Sequence, residues 1–434
     1  MLGYLPMRKS LSCPVNPEFR EKLFLWLRQF DRVCFLNSNK QSNTNSKVDL
    51  LVAVGSVEEI ISPIDCFEQL KKVHDNKKDW LFGFFSYDLK NEVENLSSGN
   101  DDGLRFPLMH FFIPQYVFRL SDTQIEVLYL HGLSTKFVIS EIIKEINNYI
   151  VTKKSGSNIS IENKITKEEY ISTVQKLKQH IQRGDIYEIN FCQEFYASNT
   201  VISPEEIYLK LNSISLAPFS AFYRIDEKYA LCSSPERFIK KTGNKIISQP
   251  IKGTRKRGSN AKEDERLKDE LRLSEKEKSE NVMIVDLVRN DLSRTAVRGS
   301  VKADELFGVY TFPQVHQMIS TISSELKKNL HFVDAIKHAF PMGSMTGAPK
   351  IRAMELIEQY EKTKRGLYSG AIGYITPDGD FDFNVVIRSI LYNAKEKYLS
   401  FITGGAITAN SIPEQEYEEC LIKAQAMIKA LQEL

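Results

Sequence analysis

Strand-length runs follow one another through tight turns in the second half of this chain, and that pattern limits the fold more than any other feature. Strands fill Ala217 to Ser248. Ala371 to Thr376, the turn Pro377-Asp378-Gly379-Asp380 and Phe381 to Leu391 read as a hairpin. Further strands are predicted over Arg32 to Leu36, Val48 to Val54, Trp80 to Tyr87, Thr311 to Leu326 and Tyr398 to Thr403, with a hairpin over Tyr116 to Tyr129 turning at Ser121-Asp122. Strands joined by short turns pair antiparallel, because parallel neighbours need a long crossover. The sheets are therefore expected to be largely antiparallel with helices packed outside, an α+β arrangement rather than a doubly wound one.

Helices are predicted over Pro17 to Phe30, Ile64 to Asp75, Ser134 to Ile150, Ala261 to Leu292, His331 to Phe340, Pro349 to Tyr360 and Pro413 to Leu434. Thr166 with Glu169 forms a capping box for a helix that Gly184 closes, Ser203-Pro204 opens another, and Ser274 with Glu277 makes a further box. The polar stretch Thr152 to Lys164 reads as a linker, dividing an N-terminal region (1–150) from a second region (165–434). A loop rich in Asn and Ser, Ser38 to Lys47, interrupts the first region.

With 434 residues and a net charge of +2, the chain can bury a large core and carries no coat for nucleic acid. No apolar run reaches membrane-span length and none at the N-terminus reads as a signal peptide, so a cytoplasmic protein is expected. The six cysteines are scattered without a CxxC pair and the seven histidines without HxxxH spacing, so any metal is expected on oxygen ligands.

Several residue groups carry possible chemistry. Gln249-Pro250-Ile251-Lys252-Gly253-Thr254-Arg255 reads as a loop, bracketed by Pro and Gly. Lys252 there is either a solvated cation or an amine made nucleophilic by burial and by the neighbouring Arg255, Lys256 and Arg257. Glu277 and Glu280 lie three apart, as do Glu416 and Glu419; each pair shares a helical face. Facing each other, the pairs could hold a hard cation such as Mg²⁺, or they are surface acids paired with lysines. The segment Asp286 to Asp291 suggests a buried polar network or a surface helix end. Gly343 to Lys350 and Thr403 to Ala406 are small-residue loops that let backbone approach an anion, without Walker order. Arg388, on an apolar strand, needs a carboxylate partner, from a ligand or from within the chain.

The motifs SSPERF (Ser233 to Phe238), PIKGTR (Pro250 to Arg255), ENVMIVDLVRND (Glu280 to Asp291), GSMTGAPK (Gly343 to Lys350) and EYEECLIKA (Glu416 to Ala424), in that order, resemble the chorismate-utilising enzymes. The resemblance is dense from about Thr166 onward and thinner before it, where Phe35 to Ser38 resembles an LLES element and Phe82 to Asp88 a GYD strand. It implies two stacked antiparallel sheets flanked by helices, with the active site in the cleft between them. It also implies Mg²⁺ held by Glu280 and Glu419 and supported, through water, by Glu277 and Glu416. Thr346, Tyr368, Arg388 and Gly404-Gly405-Ala406 match substrate-binding positions.

Single positions narrow the implied reaction. Members that add water carry a lysine where Glu188 stands, and anthranilate-forming members have PIAGT where this chain has PIKGT. PIKGT is similar to members that place the amine at C4. There the lysine is thought to attack C2 as the C4 hydroxyl leaves, and Glu236 matches the acid that protonates that hydroxyl. The resemblance thus implies amination of chorismate to 4-amino-4-deoxychorismate, toward p-aminobenzoate and folate, with an anthranilate-forming enzyme or a non-catalytic tryptophan- or partner-binding relative as alternatives. No glutaminase is recognisable, so ammonia is expected from solution or from a separate glutamine amidotransferase subunit in a heterodimer. Three departures stand out. The family histidine falls on Gln317, with His316 one place earlier; Ala406 replaces a third glycine; and Glu188 replaces the usual glutamine of amine-adding members. A carboxylate at position 188, near a dianionic substrate, must be protonated, paired or turned away.

Overall fold

The structure is a computed structural model and describes residues 8–41, 49–121, 123–150 and 159–432. Most of the expected linker Thr152 to Lys164, part of the Ser38 to Lys47 loop, Val48 of the second predicted strand, Asp122 of the hairpin turn and the last two residues of the final helix lie outside the described residues.

Every strand-to-strand ladder among the described residues is antiparallel. The ladders form two layers. One runs through Lys302–Thr311, Val315–Glu325, Lys245–Gln249, Arg237–Thr242, Phe381–Asn384, Ala371–Ile375 and Leu81–Phe85 to the first half of Met109–Leu120. The other runs through Glu188–Ala197, Tyr398–Ile407, Ser389–Asn393, Lys228–Ser234, Phe219–Ile225, Arg32–Asn37 and Leu50–Ile61 to the second half of Met109–Leu120, then to Gln124–Leu130 and Arg8–Pro14. The layers are thus hydrogen-bonded to each other through one long strand pair. The bend falls where the register shifts between Ser56 and Glu58, opposite Pro114, which has no N–H to give. Strands from before residue 150 pair directly with strands from after residue 165 in both layers.

Side-chain alternation along the strands fills two cores. Cys34, Ala221, Tyr223, Cys232 and Leu391 point inward and meet Phe84, Phe111, Phe238 and Phe383 of the facing layer. Their neighbours Val33, Phe35, Phe222, Leu231 and Ile390 point outward under helices such as Phe19–Trp26, Pro204–Ser215 and Pro413–Gln432. Helices Cys66–Lys77, Glu275–Ser293 and Phe332–Ala339 close the outer face of the first layer. No described helix is long and apolar enough to cross a membrane.

The Thr166–Glu169 capping box is complete, with both reciprocal hydrogen bonds. At Ser274 only half of the expected box forms: the serine accepts from Glu277 N–H. Three further expectations need correction. Ile251–Lys256 is a strand on Val315–Glu325, not a loop; Pro250 stands just ahead of it, where its missing donor costs no ladder bond. Thr403 to Ala406 lies inside the strand Tyr398–Ile407, because Glu188–Ala197 supplies a partner for its backbone. The predicted strand Phe381 to Leu391 breaks between Asn384 and Ser389, and Arg388 takes a left-handed backbone with φ 53°.

Candidate active site

Lys252 sits where the Ile251–Lys256 ladder slips register, beside Gly253 at φ 92°. A Cβ on Gly253 would come within 3.0 Å of Glu277 Oε2, so the strand runs directly against the helix Glu275–Ser293. Glycine meets both requirements, close approach and positive φ. From this bulge Lys252 Nζ donates to Glu188 Oε1 at 2.6 Å, with the two side chains 10% and 3% exposed. Glu188 begins a strand of the other layer, so the ion pair bridges the two layers. Burial pushes the Lys252 pKa down, but Glu188, Glu280 and Glu419 outweigh it and the net shift is upward. The expectation of an amine made neutral by adjacent cations is therefore corrected. Arg255 turns to Glu277 at 3.3 Å and Arg257 to Asp264 at 2.7 Å, so the basic cluster faces acids elsewhere.

Glu236 lies in the turn between Lys228–Ser234 and Arg237–Thr242. Its N–H donates to Ser234 Oγ, and its carbonyl accepts from Val385 N–H at 3.0 Å. The buried carboxyl accepts from Ser344 Oγ at 2.7 Å. Burial pushes its pKa up to about 7, with Ser344 and Lys252 pulling the other way. Such a group can hold and release a proton near neutrality. Ser344 escaped the sequence reading; its only signal was its place in the GSMTGAPK motif.

Glu277 and Glu280 share the helix Glu275–Ser293, and Glu416 and Glu419 the helix Pro413–Gln432. Burial pushes Glu280 up to about 7, against Lys252 and Lys276, and it also raises Glu416. Glu419 shifts down, chiefly through Lys423, whose Nζ stands 2.7 Å away. A Cβ on Gly405 would sit 3.3 Å from Glu416 Oε2 and 3.8 Å from Glu419 Oε1, so the glycine leaves room beside these acids. The four donors are all carboxylates, the oxygen ligands that a hard divalent cation such as Mg²⁺ takes. Among the described residues no three of these carboxylates gather oxygens within 4.8 Å of one another.

Arg388 is half-buried. Its guanidinium donates to Lys423 O at 3.2 Å, and among the described residues no carboxylate lies within 4.0 Å of it. Burial lowers its pKa, with Tyr368 and Glu419 opposing. The left-handed backbone at Arg388 turns it out of the strand pattern. Tyr368 is buried, its hydroxyl 3.5 Å from Cys192 Sγ. Thr346 is fully buried and its hydroxyl faces the Met342 and Gly343 carbonyls. Gly404 and Gly405 pair with Cys192 and Phe191, and Ala406 with Asn190; the Gly404 carbonyl accepts from Lys423 Nζ at 2.8 Å. Lys423, one of the lysines expected to pair with these glutamates, does so at Glu419 and also ties the glycine strand to Arg388.

The charges of Asp286 to Asp291 split between the two alternatives. Asp286 pairs with Arg289 in solvent, whereas buried Asp291 accepts from Lys350 Nζ at 2.6 Å, locking this helix to the GSMTGAPK segment. Beneath that segment, buried Arg365 binds Glu361, Asn190 O and Met345 O. His316 pairs with Asp264 at 3.0 Å and with Thr311, away from its neighbour Gln317, whose buried Oε1 has no hydrogen-bond partner among the described residues. A one-residue offset on a strand reverses the face, so His316 does not replace the family histidine. A separate cavity of about 530 Å³ is lined by Leu36, Asn37 and Ser38 of the LLES-like element together with Trp80, Phe219 and Tyr374.

One histidine cluster was not foreseen. His74, Asp75 and His331 bring ligand atoms within 4.8 Å of one another. Val333 N–H donates to His331 Nδ1 at 3.2 Å, which places the proton of the neutral ring on Nε2, 3.5 Å from Asp75. Lys78 donates to the same carboxylate at 2.8 Å. His74 Nε2 faces Thr376 O at 3.2 Å, while its buried Nδ1, 4.0 Å from Asp75, has no hydrogen-bond partner among the described residues.

Comparison with known proteins gives a consistent picture. Residues 23–429 match the family described as chorismate binding enzyme. The chain is 40% identical over 317 residues to the chloroplastic aminodeoxychorismate synthase of Arabidopsis thaliana, covering 72% of this chain and 34% of that protein. It is 36% identical over 355 residues to aminodeoxychorismate synthase component 1 of Escherichia coli (strain K12), covering 81% of this chain and 76% of that one. The chain thus spans about a third of the plant relative and three quarters of the bacterial one. Anthranilate synthase component I from Streptococcus pneumoniae TIGR4 superposes with a TM-score of 0.74 at 25% identity, over 99% of this chain and 94% of that structure.

Proposed function

The chain belongs to the chorismate-binding enzyme family, matched over residues 23–429, and from that premise we propose that it aminates chorismate with ammonia to give 4-amino-4-deoxychorismate, an amino-group transfer. The observation that carries this reading is Lys252, held by Glu188 at 2.6 Å and near enough to Glu236 and Glu280 to shift their pKa values. Enzymes that share this fold without a lysine here lack an amine to add at C2. The named aminodeoxychorismate synthases among its relatives support the same choice.

Chorismate carries two carboxylates. Arg388, whose guanidinium has no carboxylate within 4.0 Å among the described residues, binds one of them. Glu280 and Glu419, with Glu277 and Glu416 beside them, would hold Mg²⁺, which would supply positive charge for the other. Tyr368, Thr346 and the backbone of Gly404, Gly405 and Ala406 border the ring. The amine of Lys252 forms a bond to C2 as both ring double bonds shift, C1=C2 to C1=C6 and C5=C6 to C4=C5, and the C4–O bond breaks. Glu236 gives its proton to the departing hydroxyl, which leaves as water. Ammonia then bonds to C4, both double bonds shift back, and the C2–N bond to Lys252 breaks. The enolpyruvyl group stays in place. A separate glutamine amidotransferase subunit, in a heterodimer with this chain, supplies the ammonia, and p-aminobenzoate and folate lie downstream.

The test is product identity. With chorismate, Mg²⁺ and ammonium chloride, mass spectrometry should find aminodeoxychorismate without pyruvate release. Fluorescent anthranilate together with pyruvate would overturn the reading, and no turnover at all would favour a binding-only role. Arg388→Ala is expected to raise the KM for chorismate about 100-fold, the loss of two charge-assisted hydrogen bonds at roughly 1.5 kcal/mol each. Arg388→Lys should recover only part of this, because ammonium lacks the planar fork. Steady-state kinetics on both variants checks it.

A further inference from the structure

A nucleophilic lysine must first lose a proton, and the surroundings of Lys252 resist that loss. Four carboxylates face or influence it from four elements: Glu188 on the strand Glu188–Ala197, Glu236 in its turn, Glu280 on the helix Glu275–Ser293 and Glu419 on the helix Pro413–Gln432. Lys276 and Lys423 lie behind the last two. Among the four, only Glu188 is hydrogen-bonded to the amine, at 2.6 Å. Its other oxygen, Oε2, is buried with no partner among the described residues.

We propose that Glu188 is the base that takes the proton from Lys252 and returns it when the amine is expelled. The inference rests on the aminating reading given above. In the forward step the Nζ–H bond breaks, the electron pair stays on nitrogen and the proton passes to the Glu188 carboxylate. The pair is neutral overall before and after the transfer. The transfer turns an ion pair into a neutral acid–amine pair, so it creates no new buried charge. When ammonia displaces Lys252, the same proton goes back to the nitrogen as its bond to C2 breaks.

Glu188 is held firmly for this role. Tyr187 N–H donates to Ala348 O at 2.7 Å, and Glu188 itself pairs with Ala348 in a two-residue ladder. A Cβ on Gly347 would come within 2.2 Å of Glu188 O, so the GSMTGAPK segment packs directly on the backbone of the base. A glutamine here would keep an acceptor oxygen toward the lysine but could not take its proton. The carboxylate that the sequence reading marked as a hazard to a dianionic substrate is thus paired, and with the one group that needs a base.

The experiment compares Glu188→Gln and Glu188→Asp with the parent, using aminodeoxychorismate detection by mass, kcat and KM across pH, and thermal melts. For Glu188→Gln we expect kcat to fall about 100-fold at neutral pH with KM within about threefold, the scale of losing a general base. Its kcat should then climb about tenfold per pH unit below about pH 7, as free amine forms by loss of the proton to solvent, and level off above it as Glu236 ionises, while the parent shows no such climb. Glu188→Asp keeps a carboxylate and should recover part of kcat without the climb. A purely structural role would lower the melt or change KM and leave the pH profile alone. Parent-like kcat and profile in Glu188→Gln, or a gain in kcat that marks the pair as an inhibitory lock, overturns the proposal. Should the Gln variant not fold, a climbing profile in Glu188→Asp overturns it equally. A parent that makes anthranilate refutes the aminating reading instead, so the two failures are separable.

Discussion

Lys252→Ala should abolish aminodeoxychorismate formation, by at least about 10³-fold, the scale on which removing a covalent nucleophile acts. The expectation follows from position. The lysine is presented by a bulged strand of one layer to Glu188 of the other, beside the two helices that carry the glutamate pairs. Truncation also leaves Glu188 buried without its cation. Breaking a buried pair in this way costs about 3–5 kcal/mol in unfavourable cases, and protonation of the glutamate relieves part of it. Activity must therefore be read beside a thermal melt. Lys252→Met combined with Glu188→Gln removes both charges together and should recover stability without recovering turnover. Mass spectrometry of the reaction mixture reports the product, and a folded Lys252→Ala protein that still turns over at the parental rate would show that the lysine is not the nucleophile.

What was legible in the sequence and what was not divides along physical lines. Local signals survived. The capping box at Thr166, the Pro204 helix start and the hairpin turn at Pro377 to Asp380 depend on neighbours within a few residues, and each is found where expected. Signals that depend on a distant partner were misread. Ile251–Lys256 and Thr403 to Ala406 contain glycine or charge that disfavour strands locally, yet Val315–Glu325 and Glu188–Ala197 draw them into ladders. Lys302–Thr311 was missed because it is a largely exposed strand without an apolar stripe. Arg388 was placed in a strand because its neighbours are apolar, whereas its backbone turns left-handed.

The site follows the same division. The motifs located Lys252, Glu236 and the two glutamate pairs, because each belongs to a short contiguous pattern. The partners that set their chemistry were not legible. Glu188 is 64 residues from Lys252 in sequence and Ser344 is 108 from Glu236, and no spacing rule connects such positions. The basic run after Lys252 suggested that cations tune the lysine; in the fold those side chains reach other acids, and carboxylates surround the amine instead.

Glu236→Gln is the second substitution expected to act strongly, with kcat lower by about 10²–10⁴-fold, the range for removing a general acid. The pH dependence gives it a signature. A carboxyl with a pKa near 7, raised by burial, is protonated below that pH and ionised above it. Only the protonated form can donate to the C4 hydroxyl, so the parental rate should be full in mild acid and fall as pH rises through about 7. The Glu188→Gln variant differs in shape: its rate climbs with pH up to about 7 and then levels, because the gain in free amine offsets the loss of protonated Glu236. Glutamine at 236 keeps the hydrogen bond to Ser344 and packs in nearly the same volume, but it has no proton to give. Its residual rate should therefore be low and lack the alkaline fall. Replacing Ser344 with alanine removes a bond that stabilises the ionised form, and the alkaline limb should move to higher pH with a smaller change in rate. A kcat profile for the three proteins, taken at saturating chorismate and ammonium, separates these outcomes. If the alkaline limb persists unchanged in Glu236→Gln, the titrating acid is another group, and Glu280, which burial also brings to about 7, becomes the one to test.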